Sequence, residues 1–277
     1  MIRRPNQTRS IILLVAPAFV FVLVFFVLPL LFLLSQSVLP EAGGFTLAGY
    51  VDFFDSRVSR IVYLRTLKIG LIVTGISIVM SYPAAFLLAR MPTRRRSFLM
   101  LLVILPLMTN AVARTFAWLI ILGKRGMISQ TLLSLGLVEE PVSLMYTETA
   151  IVLGLTQLFL PLVVLPLVSA MENIPDDVLE AAQSLGANRV TTFLRIVVPL
   201  SSDGLVLGAT LVFTGSVTAF VTPAILGGSR LLMMSTLLRQ KSVSIFDQQS
   251  AAVIAVVMIV TTLAVNLLLR VGRVRQV

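Results

Sequence analysis

From Ile11 to Leu34 the chain runs for twenty-four residues without one charged side chain. About 20 apolar residues suffice for a helix to cross the hydrocarbon core of a bilayer. Five further apolar runs follow. The expected spans are 11–34, 69–89, 98–122, 149–171, 204–226 and 251–269. Composition agrees: 57% of the 277 residues are hydrophobic and 12% are charged, against about 25% charged in a soluble domain. The expected fold is an all-α polytopic membrane protein with six transmembrane helices, forming one domain over residues 1–277.

The start of the chain, with Arg3, Arg4 and Arg9 before an apolar run, has the look of a secretory signal. The apolar part of a signal is only about 7–15 residues long. Residues 11–34 are therefore read as an uncleaved first helix. Pro17, Pro29, Pro83, Pro106, Pro161 and Pro166 fall inside spans, which neighbouring helices make tolerable by re-satisfying the freed backbone groups.

Charge placement sets the topology. Segments 1–10, 90–97, 172–202 and 270–277 hold 12 basic residues in 57 positions; 35–68, 123–148 and 227–250 hold 9 in 84. The twofold higher basic density marks the first set as inner, with both termini cytoplasmic. Arg90, Arg94, Arg95 and Arg96 in one short turn are the strongest topology signal. The net charge of +10 then belongs to arginines facing an anionic leaflet, with no nucleic-acid partner implied. In the first outer segment, Val51, Phe54, Val58, Ile61 and Val62 recur at helical spacing. They predict an amphipathic helix that lies at the interface or packs over the outer mouth of the bundle.

There is no Cys and no His. Thiolate nucleophiles, imidazole bases and ordinary zinc sites are excluded, and no metal site is expected. Gly70 and Gly75 have phosphate-loop spacing, but Ile76-Ser77 follows them with no Lys, inside a span. The chain has no ATPase machinery, and the outer segments are too short to form a catalytic domain. No enzymatic activity is expected of it.

The longest polar interval on the inner side is 172–200. Pro175 suits the first helical position, and Asp176 and Asp177 complement the helix dipole. Val178, Ala181, Ala182 and Leu185 then make one apolar stripe, which Gly186 or Asn188 can stop. Val190, Phe193, Leu194 and Val197 begin a second helical pattern that Pro199 ends. Two short helices with a kink are expected, with Glu180 beside the small residues Ala181 and Ala182.

Glu180-Ala181-Ala182, with Gly186 six residues after the Glu, Ile196, and Pro199 nineteen residues after the Glu, resembles the "EAA" loop of permease subunits of binding-protein-dependent ABC importers. Val198 stands where Leu is usual in that pattern. Phe45-Thr46-Leu47 with Tyr50, Arg114-Thr115-Phe116-Ala117-Trp118, Pro141-Val142-Ser143-Leu144-Met145-Tyr146-Thr147 and Phe220-Val221-Thr222-Pro223-Ala224-Ile225-Leu226-Gly227-Gly228 extend the resemblance to the first permease subunits of spermidine/putrescine-type importers. Residues 246–252 depart from it, lacking a Trp and a Gly. The resemblance implies that the loop is a coupling helix between helices 4 and 5, seated in a groove of an ATP-binding subunit. It implies ATPase coupling through Glu180, Ala181, Ala182, Leu185, Gly186, Ile196 and Pro199. The implied partners are a second permease subunit in a heterodimer, two copies of the ATP-binding subunit, and a periplasmic substrate-binding protein. ATP and Mg would be bound by the ATPase and not by this chain. The implied setting is the bacterial inner membrane, and the implied cargo a small polar solute of polyamine type.

Candidate groups for a translocation path are Asn110, Arg114, Gln157, Ser216, Thr218 and Thr222. Arg114 is the one clear charge within a span; it either snorkels outward and pairs with an acid, or faces the path. No span holds a central Asp or Glu, so a polycation would meet neutral groups here. Gly204 and Gly208 form a small-residue pair that serves either packing within the subunit or contact with a second one. A stand-alone secondary transporter would show repeated halves and coupling-ion carboxylates, and neither is visible. The same machinery with another cargo, such as an opine, an amino-acid derivative or an inorganic ion, is the closer alternative.

Overall fold

Prolines and caps decide where the helices of this chain stop. The computed structural model describes residues 5–39 and 43–274. Arg3, Arg4, Arg275 and the start of the turn at Glu41 lie outside the described residues. Every regular element among the described residues is helical. The chain divides into two units by internal contacts: residues up to Arg57 with Leu238–Val257, and Val58–Leu237 with the residues from Met258 onward.

In the first unit, α1 (Pro5–Val22) and α2 (Leu28–Val38) are joined by a π turn at Leu23–Val27. Leu28 closes that turn by donating to the Leu23 carbonyl, and Pro29 follows. A proline lacks the N–H for the carbonyl four residues back and crowds it, so a widened turn relieves the clash. The apolar stretch Leu14–Val38 has no residue of its best window buried. A helix apolar all round is stable only in an apolar medium. Next comes α3 (Ala48–Asp55). Tyr50 Oη donates to Ser37 Oγ at 2.8 Å. Asp247 caps the last helix of the chain, α16 (Gln248–Val274), by accepting from the Ser250 N–H at 3.0 Å, and pairs with Lys241 Nζ at 3.1 Å. Burial pushes this carboxyl up, but the Ser250 and Lys241 bonds outweigh that and hold it below the usual carboxylate range.

The second unit carries most of the spans. α4 (Arg57–Ala89) is unbroken for 33 residues despite Pro83. This corrects the expected amphipathic helix at 51–62: it breaks at Ser56, and its second half is the first turns of α4. The span expected at 69–89 begins twelve residues earlier. α5 (Thr93–Met108) and α6 (Ala111–Leu122) follow, then α7 (Met127–Ser134). The span expected at 98–122 is not one helix: it breaks at Thr109-Asn110, and the two parts meet at 93°. Asn110 caps α6, accepting from the N–H groups of Val112 and Ala113.

α8 (Glu148–Phe159) and α9 (Pro161–Glu172) form a pair bent by 41° at Pro161. α10 (Asp176–Ser184), α11 (Arg189–Thr192), a π turn at Phe193–Val197 and α12 (Val198–Leu200) make up the polar interval. This π turn also precedes a proline, Pro199. α13 (Ser202–Thr218) then runs into the unit. The span expected at 204–226 stops at Thr218; α14 (Val221–Leu226) is a separate short helix packed on α6 and α8. The Ala219 carbonyl freed by that break accepts from Ser235 Oγ at 2.6 Å, in α15 (Met234–Arg239).

Lipid tails are as apolar as leucine, so helix association in a membrane rests on close packing more than on hydrophobic burial. α13 and α9 show this. A Cβ on Gly204 would lie 2.4 Å from the Pro166 carbonyl oxygen, and one on Gly208 would lie 2.8 Å from Val163 Cα. The small-residue pair is consumed within the subunit. Ile69, Ile151, Leu155, Val163, Leu167, Val212 and Leu226 are fully buried around that contact.

Candidate functional site: the 172–200 loop

The loop folds as two short helices meeting at a kink. Pro175 sits one residue before α10, in extended conformation, and Asp176 and Asp177 occupy the first turn. The helix ends in a Schellman motif: Ala187 donates to the Ala182 carbonyl at 3.0 Å and Gly186 to Gln183 at 2.9 Å. Gly186 has φ +84°, a conformation glycine adopts without strain. Asn188 then caps α11, accepting from the Thr191 N–H at 2.8 Å. The sequence left Gly186 and Asn188 as alternative stops; one ends the first helix and the other starts the second.

The apolar stripe on α10 divides. Ala182 is buried at 7%, while Leu185 is 89% exposed and Val178 38%. Glu180 and Ala181 are exposed with them. Beyond the kink, Val190 and Leu194 are exposed too. Ile196 is half-buried and Pro199 exposed. A short helix, closed at its C-terminal end, thus presents apolar side chains that are not covered by the described residues.

What holds the loop comes from α4 and α5. Arg90 Nη1 donates to Asp176 Oδ1, and Arg96 pairs with Glu172. Phe193 receives two edge-on rings of α4, Tyr82 at 5.9 Å and Phe86 at 5.4 Å. These partners were missed from sequence. The arginine cluster was read as a topology marker alone. Spacing gave one usable signal, since Tyr82, Phe86 and Arg90 recur every four residues and share a helix face.

The path candidates do not gather on one lining. Asn110 and Arg114 meet at the α5–α6 break, where Arg114 Nη1 donates to the Pro106 carbonyl at 2.7 Å. That oxygen lost its helical partner when α5 ended. No carboxylate pairs with Arg114 among the described residues. Gln157 is exposed and accepts from Trp118 Nε1 at 2.6 Å. Thr218 is exposed at the end of α13 and bonds back to the Thr214 carbonyl. Ser216 and Thr222 are buried, with Thr222 packed beside Gly154. About a third of the way along α4, Lys68 Nζ donates to Glu148 at 2.6 Å and Arg65 Nε lies 3.6 Å from it.

Residues 77–272 match the family described as the binding-protein-dependent transport system inner membrane component. Over 226 residues the chain is 32% identical to the spermidine/putrescine transport system permease protein PotB of Haemophilus influenzae, covering 79% of each. It is 34% identical to PotB of Escherichia coli over 203 residues, covering 73% of this chain and 74% of that one. It is 32% identical over 186 residues to the molybdenum transport system permease protein ModB of Azotobacter vinelandii, covering 67% and 79%. A solved chain of a bacterial ABC transporter involved in import of the acidic polysaccharide alginate superposes with TM-score 0.78 at 16% identity, covering 98% of this chain and 96% of that one. The loop with its uncovered helix lies inside the matched region, and by these matches the chain belongs to the binding-protein-dependent transport system inner membrane components, the permease subunits of ABC importers.

Proposed function

We propose that this permease subunit forms half of the translocation path of an ATP-driven importer for a small polar solute of polyamine type. One observation carries the coupling part: α10 is rigidly capped at Gly186 and holds Val178, Ala181 and Leu185 out into the open. In this reading the face seats in a groove of an ATP-binding subunit, with Glu180 as its polar anchor and Ala181 and Gly186 allowing close approach. Ile196 and Pro199 set the second limb. Two such subunits hold ATP and Mg and close on them, and this chain supplies the mechanical contact.

The six spans, with both termini and the loop on the cytoplasmic side, follow from the charge bias; three long apolar helices and three bent helix pairs are consistent with that count. A second permease subunit completes the path. A periplasmic binding protein delivers cargo to the opposite face; one structural neighbour was solved with an alginate-loaded periplasmic protein. The polyamine class rests on the 32–34% identity to spermidine/putrescine permeases. The molybdenum relative keeps a small inorganic ion as the second reading.

The chain has no native cysteine, so one introduced thiol is a unique probe. In the full importer, Leu185→Cys is expected to form a cross-link with the ATP-binding subunit through a short bifunctional reagent, and Leu137→Cys is not. Equal cross-linking at both positions, or none at either, sinks the docking assignment.

A further inference from the structure

The joint between the loop and the membrane helices has a construction that the docking role does not require. Glu172 is the last residue of α9 and Asp176 the first of α10. Arg96 pairs with the former and Arg90 with the latter. The two ion pairs bracket Asn173-Ile174-Pro175, the link from which α10 hangs. The Arg90 guanidinium also lies 5.8 Å from the centre of the Phe86 ring. Phe86 and Tyr82 in turn pack edge-on against Phe193, beyond the kink. Tyr82 and Phe86 in the last turns of α4, with Arg90 in the turn just after it, therefore grip both limbs of the loop.

That grip has room and spare bonding capacity. A cavity of about 400 Å³ lies at the joint, lined by Arg90, Pro92, Met171, Glu172, Ile174 and Asp176 among others. Arg90 Nε and Nη2 are buried and have no hydrogen-bond partner among the described residues. A guanidinium holds a carboxylate best through two parallel bonds, and here Asp176 takes one. The joint therefore has both the space and the donors for a second arrangement of the Arg90–Asp176 pair. Two discrete arrangements of one joint are what a coupling element needs.

α4 can carry such a change a long way. It is one helix of 33 residues, about 50 Å at 1.5 Å per residue. About a third of the way along it from Arg57, Arg65 Nη1 donates to the Leu232 carbonyl at 3.1 Å, and Lys68 pairs with Glu148 at the start of α8. Polar contacts thus hold the stiff helix near the loop and again more than twenty residues away from it.

We infer that α4 is the push rod of this permease, and that Tyr82, Phe86 and Arg90 are positioning residues that convert loop displacement into movement of the opposite membrane face. This rests on the loop docking an ATP-binding subunit.

The test uses the complete importer in proteoliposomes, read for retention of the ATP-binding subunit, basal ATP hydrolysis, and hydrolysis and uptake stimulated by the loaded binding protein. Arg90→Glu is expected to keep retention and basal hydrolysis. Its stimulated hydrolysis and uptake are expected to fall about tenfold, a usual size for coupling between sites. The double variant Arg90→Glu, Asp176→Arg is expected to restore both to within about twofold of the parent, as contacting pairs do. Phe86→Leu, which keeps an apolar side chain but loses the ring contact with Phe193, is expected to uncouple in the same way. Parental stimulation in Arg90→Glu, or a double variant no better than the single one, overturns the rod. Loss of ATP-binding subunit in Arg90→Glu also overturns it, since the arginine then only holds the docking surface in place. Leu185→Arg is the separate control: it tests docking alone, and its failure to release the ATP-binding subunit refutes the loop reading and not the measurement on α4.

Discussion

Gly186 and Gly204 show two different reasons for a missing side chain. Gly186 has open space around its Cα, with no atom within 4 Å of an added Cβ. Within this chain its demand is conformational, a left-handed φ of +84°. Gly186→Ala is therefore expected to strain the kink by about 1–2 kcal/mol. The Schellman bonds should loosen, α10 should turn relative to α11, and stimulated ATP hydrolysis should drop, with the unfolding temperature lowered by only a few degrees. Unchanged stimulation would show that the kink angle does not matter. Arg114 holds a backbone carbonyl and no carboxylate among the described residues. Its charge inside an apolar run suggested the path or an acidic partner. The structure spends its donor on the Pro106 carbonyl, which the α5–α6 break had orphaned. The break itself was legible, since Asn before an apolar run is a helix-start signal, yet Asn110 was read for its polarity and not for its cap.

At the scale of elements, proline placement explains most departures from straight spans. Pro29 and Pro199 each follow a π turn, and Pro161 sits at the 41° bend. Pro83 leaves α4 unbroken, so a proline alone does not predict a break. The α9–α13 contact depends on glycine for another reason, space. Gly204→Val sets a branched side chain where even a Cβ meets the Pro166 carbonyl at 2.4 Å. Overpacking of this kind costs about 1–3 kcal/mol or more. The expected outcome is a lowered unfolding temperature in detergent and poor recovery of the subunit, with Gly75→Val as the benign control because nothing lies within 4 Å there. Equal recovery of the two variants would show that the helices can separate without loss. The sequence marked the pair as a packing face. Which partner it packs on became clear only when α9 was in place.

For the whole molecule the open matter is cargo. The candidate path groups of this chain are neutral apart from Arg114, and no acidic residue lies mid-span. A polycation crossing beside them would need carboxylates from the second permease subunit. Titration of the cognate binding protein with spermidine, putrescine and molybdate is expected to give tight binding for a polyamine only. Tight molybdate binding with no polyamine affinity would transfer the chain to the second reading.

Length, hydropathy and arginine placement were enough to predict a helical polytopic membrane protein, because the bilayer accepts few solutions and each leaves a long-range mark in composition. The two helices of the loop and their glycine stop were legible too, being set by caps and backbone conformation within a few residues. The burial of Ser216 and Thr222, the packing of Gly204, and the grip on the loop were decided by tertiary structure. Each depends on contacts between residues far apart in the chain: Tyr82 and Phe86 against Phe193, Arg90 against Asp176, Gly204 against Pro166. Local periodicity carries no information about which distant surface a side chain will meet.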